Sequence, residues 1–222
     1  MARESNFWIN AQNICRAGVQ LPPKITKTFI LKESIKYMKN KIILVGGYCA
    51  SGKTTFAHKL SRELNIPCFN KDAIDEMICD GFGRESDVSE KGSDEVAFYL
   101  MLHIAEQLLK AEKICILENV FVLEEIEKIK ILLEKYNCEC LLFVLKGDID
   151  VMFDRYIERD KAGKRHWIHQ PAHKNWFKKS MPATLGLEEV KIGQKIIIDT
   201  TSFEKVNYDD LFAAARKFIG DN

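Results

Sequence analysis

From Lys41 onward, short apolar runs alternate with longer segments in which apolar residues recur at helical spacing. The apolar runs predict five strands, at residues 41–46, 66–70, 113–118, 139–146 and 195–199. The segments with helical spacing predict helices at residues 53–64, 72–80, 93–111, 123–136, 149–161, near 173–180, near 186–192, and at 207–219. This alternation predicts an α/β fold, a parallel sheet with helices on both faces, because right-handed crossovers place a helix over each strand pair.

Ligands of such sheets bind at the carboxyl ends of the strands. The residues that follow the five predicted strands are 47–54, 70–72, 118–119, 146–148 and 199–201. The carboxylates at or near these strand ends include Asp72, Glu118 and Asp199. We therefore expect the functional side chains to meet at this edge of the sheet.

Residues 1–40 do not continue the alternation. They contain a short helical pattern at residues 5–17, the helix-breaking pair Pro22-Pro23 and a second amphipathic stretch at residues 28–39. We interpret residues 1–40 as a partly helical N-terminal extension and residues 41–222 as one domain, which is an ordinary domain length.

The first predicted strand runs directly into a complete G-x-x-x-x-G-K-T motif that opens the first helix. Glycines at its two ends allow a positive φ, so consecutive N–H groups can point into one concavity that favours an anion. The helix N-terminus adds partial positive charge, Lys53 a full charge for the β- and γ-phosphates, and Thr54 a hydroxyl for Mg²⁺. The motif predicts a site for a Mg²⁺–nucleoside triphosphate. Its residues are Gly47, Tyr48, Cys49, Ala50, Ser51, Gly52, Lys53 and Thr54, followed by Thr55.

Composition narrows the choice of partners and compartment. A formal net charge of +1 argues against broad attraction to nucleic acid or to a membrane surface. The seven cysteines are odd in number and form no C-x-x-C pair, which is typical of reduced thiols in a cytosol. No apolar run approaches the roughly 18 residues of a membrane span, and the N-terminus lacks a cleavable signal pattern. We expect a cytoplasmic protein without a membrane span; the sequence leaves its oligomeric state open.

Two carboxylates are candidates for chemistry beside the loop. Asp72 either caps the helix that it opens or accepts the proton of a substrate hydroxyl. Glu118 ends the third strand, where P-loop proteins usually direct an acidic residue toward the metal. Aspartate is usual at that position, so the glutamate leaves several roles open. Glu118 contacts the metal directly, acts on it through water, positions substrate or water, or is a surface carboxylate. Thr54 and Glu118 are the predicted metal residues.

Residues 154–166 hold five basic side chains besides a histidine. Arg155 and Arg159 are four residues apart and share a helix face, while Arg165 lies beyond Gly163, where the helix should end. Guanidinium groups stay charged and bind phosphate bidentately, so these arginines are predicted to stabilise a transferred phosphoryl group. The alternative is a solvated helix with intrahelical ion pairs.

His166, His169 and His173 have a spacing similar to that of metal ligands. Zinc is not favoured, because Pro171 interrupts the helix that would align them and no cysteine lies nearby. These histidines are interpreted as residues of a lid, as substrate contacts or as surface residues.

Taken together, the motifs resemble those of the small P-loop kinases of the AAA_33 type, a group similar to chloramphenicol phosphotransferase, gluconate kinase and zeta-toxin-like kinases. The resemblance rests on the loop motif and on looser patterns that arrive in order at the strand ends. These are residues 46–55, 70–74, 117–119, 155–160 with 165–166, and 198–201.

The resemblance implies a three-layer α/β/α P-loop NTPase sandwich whose five-stranded parallel sheet has the order 2-3-1-4-5. It implies ATP as phosphoryl donor, a lid at about 160–180 that carries Arg159 and Arg165, and an acceptor site near Asp72 and Glu118. The adenine contacts are expected at Asp199, Thr200 and Thr201.

The leading hypothesis is an ATP-dependent kinase that phosphorylates a hydroxyl of an unidentified small molecule. Lys53 would neutralise the phosphates and Asp72 would accept the proton, while Arg155, Arg159 or Arg165 would stabilise the moving phosphoryl group. One alternative is a nucleotide-binding or nucleotide-hydrolysing switch without an acceptor. Another is a polynucleotide or tRNA kinase, for which the near-zero net charge offers no basic track outside the lid.

Overall fold

The structure is a computed structural model that describes residues 40–88, 92–163, 165–169, 175, 177, 179 and 186–220. Apart from Asn40, the predicted N-terminal extension lies outside the described residues. So do much of the predicted lid and most of the predicted helix near 173–180.

Five strands form one sheet in which every neighbouring pair is parallel. They are β1 (Asn40–Gly47), β2 (Cys68–Asn70), β3 (Cys115–Glu118), β4 (Cys138–Lys146) and β5 (Gln194–Asp199). Their order in the sheet is β2-β3-β1-β4-β5, which confirms the predicted P-loop topology. β2 is shorter than predicted, because Pro67 has no N–H to donate and contributes only its carbonyl, which accepts from Ile116 N at 2.9 Å.

Helices connect these strands and cover both faces of the sheet. In the described part of the chain they are α1 (Lys53–Leu64), α2 (Lys71–Phe82), α3 (Ser93–Lys110), α4 (Leu123–Lys135), α5 (Ile149–Lys161) and α6 (Tyr208–Ile219). Their bounds follow the sequence prediction closely. None of these helices combines the length and the apolar character that crossing a membrane requires.

The core has two layers, one on each side of the sheet. Successive side chains of a strand point to opposite faces, so Ile42 and Leu44 pack with α3 and α4 on one side. Ile43 and Val45 pack with α1 and α6 on the other. All four β1 residues are fully buried, which explains why this strand reads as a continuous apolar run.

The segment predicted as a helix near 186–192 is instead a single 3₁₀ turn at Gly186–Glu188. The chain then extends, and Ile192 is buried in the core at 4% exposure. Gly193 follows with a φ of +64°, and a Cβ there would lie 2.2 Å from the carbonyl oxygen of Cys140. This tight turn into β5 leaves no room for the predicted helix to continue.

Candidate functional site

The loop after β1 has the backbone conformation of an anion-binding nest. Positive φ angles occur at Gly47 (122°), Ala50 (57°) and Gly52 (86°). Such alternation turns backbone N–H groups toward one concavity. Position 47 has no room for a side chain, since a Cβ would lie 2.0 Å from the carbonyl oxygen of Leu145. The glycine positions were predicted, whereas the left-handed Ala50 has no sequence signal.

Helix α1 presents its N-terminus to this concavity. Its first backbone hydrogen bond runs from Phe56 N to the carbonyl oxygen of Gly52, at 2.9 Å. The N–H groups of residues 53–55 therefore have no acceptor within the helix. They add positive partial charge where a phosphate group would bind.

Lys53 is nearly buried, at 7% exposure, and its ammonium donates to the carbonyl oxygen of Tyr48 at 2.7 Å. Ser51 Oγ donates to the same carbonyl, also at 2.7 Å. The Tyr48 side chain is buried and packs with Met152 and Tyr156 of α5. The loop thus contributes backbone and Lys53 to the site, while Tyr48 anchors it to α5.

Glu118 lies at the carboxyl end of β3, and its Oε2 accepts hydrogen bonds from Thr54 Oγ1 at 3.1 Å and from Asn70 Nδ2. Its exposure is only 3%. Burial is the main cause that raises the pKa of Glu118 to about 7. The Lys53 charge and the Thr54 hydrogen bond oppose this rise, and the Asp72 charge adds to it. The surface alternative for Glu118 is therefore wrong.

The Thr54 hydroxyl and the Glu118 carboxylate fit a Mg²⁺ ion. Both are hard oxygen ligands, and a nearby cation stabilises the charge of a buried carboxylate. Within the described ranges, no cluster of three or more histidine, cysteine, aspartate or glutamate side chains could hold a metal. A sparse set suits Mg²⁺, which commonly takes one or two protein oxygens and completes its shell with phosphate oxygens and water.

Helix α2 is capped by Asn70, whose Oδ1 accepts from Ala73 N at 2.6 Å. Asp72 lies inside the first turn and remains exposed. The alternative that Asp72 is the helix cap is therefore wrong. Asn70 is a residue that the sequence prediction passed over, although it ends β2 beside Glu118.

A cavity of about 260 Å³ begins at the end of the loop. Its wall is built from α1, from the start of α2, from the end of α5 and from the segment at residues 165–169. The lining residues are Thr54, His58, Asn70, Asp72, Ala73, Glu76, Arg159, Arg165, His166 and His169. The structure thus brings Asp72, Arg159 and Arg165 together with Thr54, as the predicted roles require.

Two predicted arginines lie at this cavity and are oriented around one tyrosine. Arg165 donates to Asp160 Oδ1 at 3.0 Å and to the hydroxyl of Tyr156. Its guanidinium lies 4.3 Å from the centre of the Tyr156 ring, and that of Arg159 lies 5.4 Å away. These contacts hold two permanent positive charges at the end of the cavity wall.

Arg155 does not line the cavity. Its guanidinium donates to the carbonyl oxygens of Thr200 at 2.7 Å and Thr201 at 2.8 Å, and lies 4.0 Å from the ring centre of Phe203. The Phe203 ring packs against the loop after β1, since a Cβ on Gly52 would be 2.8 Å from that ring. Arg155 therefore fixes the turn after β5 beside the loop after β1.

The predicted base-binding residues form a tightly hydrogen-bonded turn. Thr200 N donates to the carbonyl oxygen of Lys146 at 2.7 Å, and Asp148 N donates to Thr201 Oγ1 at 2.9 Å. Asp199 Oδ1 accepts from Thr201 N at 2.8 Å. Hydrogen bonds from Thr201 lower the pKa of Asp199, with a smaller contribution from the Lys146 charge.

The 165–169 segment is joined to α2 by two histidine–carboxylate pairs. His169 Nε2 lies 2.8 Å from Glu76 Oε1, and His166 Nε2 lies 3.0 Å from Asp80 Oδ1. Trp167 Nε1 also donates to Asp80, at 3.3 Å. His166 and His169 line the cavity, whereas His173 is outside the described residues.

Sequence reasoning missed two further cavity residues, His58 and Glu76. Each follows a predicted site residue by one helical turn: His58 is four residues after Thr54, and Glu76 is four residues after Asp72. Residues four apart on a helix share a face. That spacing is the signal by which both residues could have been found.

The sheet order, the loop after β1 and Glu118 at the end of β3 define a P-loop nucleotide-binding fold of the kinase type. The sequence profile of the AAA_33 family, described as an AAA domain, matches residues 42–184. The chain belongs to the AAA_33 family. No curated protein matches its sequence.

Solved structures share this fold. A candidate kinase from Chloroflexus aurantiacus J-10-fl aligns with a TM-score of 0.69 and 24% identity, over 82% of this chain and 98% of that chain. A sugar kinase from Janibacter sp. HTCC2649 aligns with a TM-score of 0.51 and 17% identity, over 82% and 95%. A gluconokinase from Sinorhizobium meliloti 1021 aligns with a TM-score of 0.50 and 13% identity, over 82% and 92%.

Proposed function

We propose that the protein is an ATP-dependent phosphotransferase, which uses Mg²⁺ and transfers the γ-phosphoryl group to a hydroxyl of a small molecule. The observation that carries this proposal is the cavity of about 260 Å³, because Thr54 of the phosphate-binding loop and Asp72 share its wall. Proteins described as a sugar kinase and a gluconokinase have the same fold, which supports a kinase reaction.

On the donor side, the N–H groups of residues 53–55 and the Lys53 ammonium would hold the β- and γ-phosphates. The Lys53 ammonium lies 2.7 Å from the carbonyl oxygen of Tyr48. Phosphate oxygens would compete with that carbonyl for the ammonium. The turn at residues 199–201, positioned by Arg155, would contact the base. Thr54 and Glu118 would hold Mg²⁺, whose positive charge would help to neutralise the phosphate oxygens.

On the acceptor side, Asp72 would take the hydroxyl proton. The acceptor oxygen forms a bond to the γ-phosphorus while the bond from that phosphorus to the β–γ bridging oxygen breaks, and ADP leaves with the electron pair. Arg159 and Arg165 would stabilise the charge on the moving phosphoryl group. Such catalysis consists mainly of positioning and electrostatic stabilisation.

The test measures ADP release and phosphorylated product from purified protein, ATP, Mg²⁺ and a panel of hydroxyl compounds. Lys53→Ala should abolish turnover while leaving the circular dichroism spectrum unchanged. Asp72→Asn should lower kcat by about 100-fold or more, with little change in the KM for ATP. Lys59→Ala is the matched control, because Lys59 lies on the same helix with its ammonium over the Tyr208 ring, at 4.7 Å.

Three outcomes would contradict the proposal. Unchanged activity of Lys53→Ala would remove the phosphate-binding role. ATP hydrolysis that needs no acceptor and is stimulated by a protein partner would favour a nucleotide switch. Salt-sensitive RNA binding with phosphorylation of RNA ends would favour a polynucleotide or tRNA kinase.

A further inference from the structure

We propose that the acceptor is a small polyhydroxylated molecule of about hexose size, and that Glu76 and His169 bind its hydroxyl groups. This inference rests on the proposed phosphotransferase function and names the substrate class of that same site.

The size of the cavity sets the first limit. Its volume of about 260 Å³ lies below the range of roughly 300–1,000 Å³ found for sites that bind drug-sized ligands. At about 30 Å³ per water molecule, it has room for about nine waters. A compact molecule with the atom count of a small sugar matches that space.

The chemistry of the wall sets the second limit. Among the described lining residues, Ala73 is the one apolar side chain, and none is a phenylalanine, tyrosine or tryptophan. A nucleobase or another aromatic acceptor would be expected to meet an apolar or stacking surface. The wall favours an acceptor that is polar over most of its surface.

The mixture of charges favours hydroxyl groups over a single charged group. Carboxylates at Asp72 and Glu76 accept hydrogen bonds, while Arg159 and Arg165 donate them. An acceptor cation would meet the arginines, and an acceptor with several negative charges would meet the carboxylates. A hydroxyl group donates and accepts at once, so a polyol can satisfy both sets.

Glu76 and Asp72 lie four residues apart on the same face of α2. The Cβ atoms of such a pair are about 5–6 Å apart, so both carboxylates are near one acceptor. Because a hydroxyl has a single proton to donate, an acceptor that binds both carboxylates in this way needs two hydroxyls. Glu76 has a side-chain exposure of 36% and is oriented by His169, which is 18% exposed. The pair is thus fixed in place yet open to the cavity.

The second histidine–carboxylate pair provides a natural comparison. Asp80 lies one helical turn beyond Glu76 and is bonded to His166 and Trp167. Asp80 is not a lining residue of the cavity. Its role is to attach the 165–169 segment to α2. Asp80→Asn keeps an oxygen that can accept from His166 and Trp167, so this variant should leave the recognition of individual hydroxyls unchanged.

The first experiment compares two sets of acceptors with the full chain, ATP and Mg²⁺. One set holds glycerol, xylitol, D-glucose, myo-inositol and D-gluconate; the other holds thymidine, chloramphenicol, ethanolamine and 1-butanol. We expect the best polyol to exceed every member of the second set by about 100-fold or more in kcat/KM. D-Glucose and D-gluconate distinguish a neutral polyol from one with a carboxylate.

The outcomes separate this inference from the function on which it rests. Preferred phosphorylation of a member of the second set overturns the polyol inference but leaves the phosphotransferase intact. If no polyol is phosphorylated, the polyol inference is overturned. ATP hydrolysis that depends on Lys53, needs no acceptor and is stimulated by a protein partner contradicts the phosphotransferase itself.

The second experiment assigns the residues, using the best polyol and its analogue lacking one hydroxyl. Glu76→Gln and His169→Gln should each raise the acceptor KM by about tenfold or more, with the KM for ATP within about twofold. The original protein should prefer the complete polyol, measured by kcat/KM, to an analogue that lacks a hydroxyl bound by Glu76 or His169. Both variants should reduce this preference. Asp80→Asn should leave that preference within about twofold. If all three variants change the preference equally, or none does, the assignment of Glu76 and His169 is overturned.

Discussion

Replacement of Glu118 by glutamine tests whether the burial of this carboxylate lowers the stability of the folded protein when no ligand is bound. Glu118→Gln removes the charge and keeps an oxygen that can accept from Thr54 and Asn70. We expect the variant to be more stable than the original protein at pH 8 when no ligand is added, although its activity should fall.

The size of the effect follows from the pKa of Glu118, which burial raises from 4.5 to about 7. Below pH 4.5 the carboxyl is neutral in both the folded and the unfolded chain, so its charge costs nothing. Between pH 4.5 and about 7 the unfolded chain loses this proton first, and the stability falls as the pH rises. Above pH 7 the full cost remains, at most about 3 kcal/mol.

In the assay, both proteins are unfolded with urea at pH 5 and at pH 8, and circular dichroism monitors the unfolding. The quantity compared is the free energy of unfolding of Glu118→Gln minus that of the original protein. This difference should increase by about 2–3 kcal/mol from pH 5 to pH 8. Other titrating groups cancel in this difference, provided that the m-values agree. Added Mg²⁺ should narrow the gap at pH 8, because only the original protein gains a charge partner. A difference that is the same at pH 5 and pH 8 would refute the reasoning.

Four further predictions concern the loop after β1, helix α2 and Arg155. Gly47→Ala should destabilise the fold by more than about 3 kcal/mol in urea unfolding, because its Cβ would lie 2.0 Å from the carbonyl oxygen of Leu145. Gly81→Ala, with nothing within 4 Å of the new Cβ, should instead stabilise α2 by about 0.5–1 kcal/mol. Asn70→Ala should cost about 1 kcal/mol for the lost cap and about 1–3 kcal/mol more for the hydrogen bond that buried Glu118 loses, whereas Asn70→Ser should recover most of the cap's contribution. Arg155→Met loses both hydrogen bonds to the turn after β5. This variant should therefore bind nucleotide about tenfold more weakly in a fluorescence titration, with the acceptor KM nearly unchanged.

The parts of the fold that could be predicted are those in which neighbouring residues determine one another. The buried β1, the glycine loop and α1 follow one another without a break, so the local pattern was enough to predict their structure. The helix cap was different, because Asn70 and Asp72 are both good capping residues. Only the actual start of α2, at Lys71, decides between them. A shift of two residues at a helix end lies below the resolution of sequence patterns.

The arginines of α5 show how far a shared helix face can mislead. Arg155 and Arg159 are four residues apart, and this spacing suggested one common role beside the phosphates. Four residues also advance about 6 Å along the helix axis. That distance separates two sites here, since Arg155 bonds the turn after β5 while Arg159 lies at the cavity. Helix α5 therefore spans the interval between the proposed base and acceptor sites, and its two arginines are expected to affect different substrates.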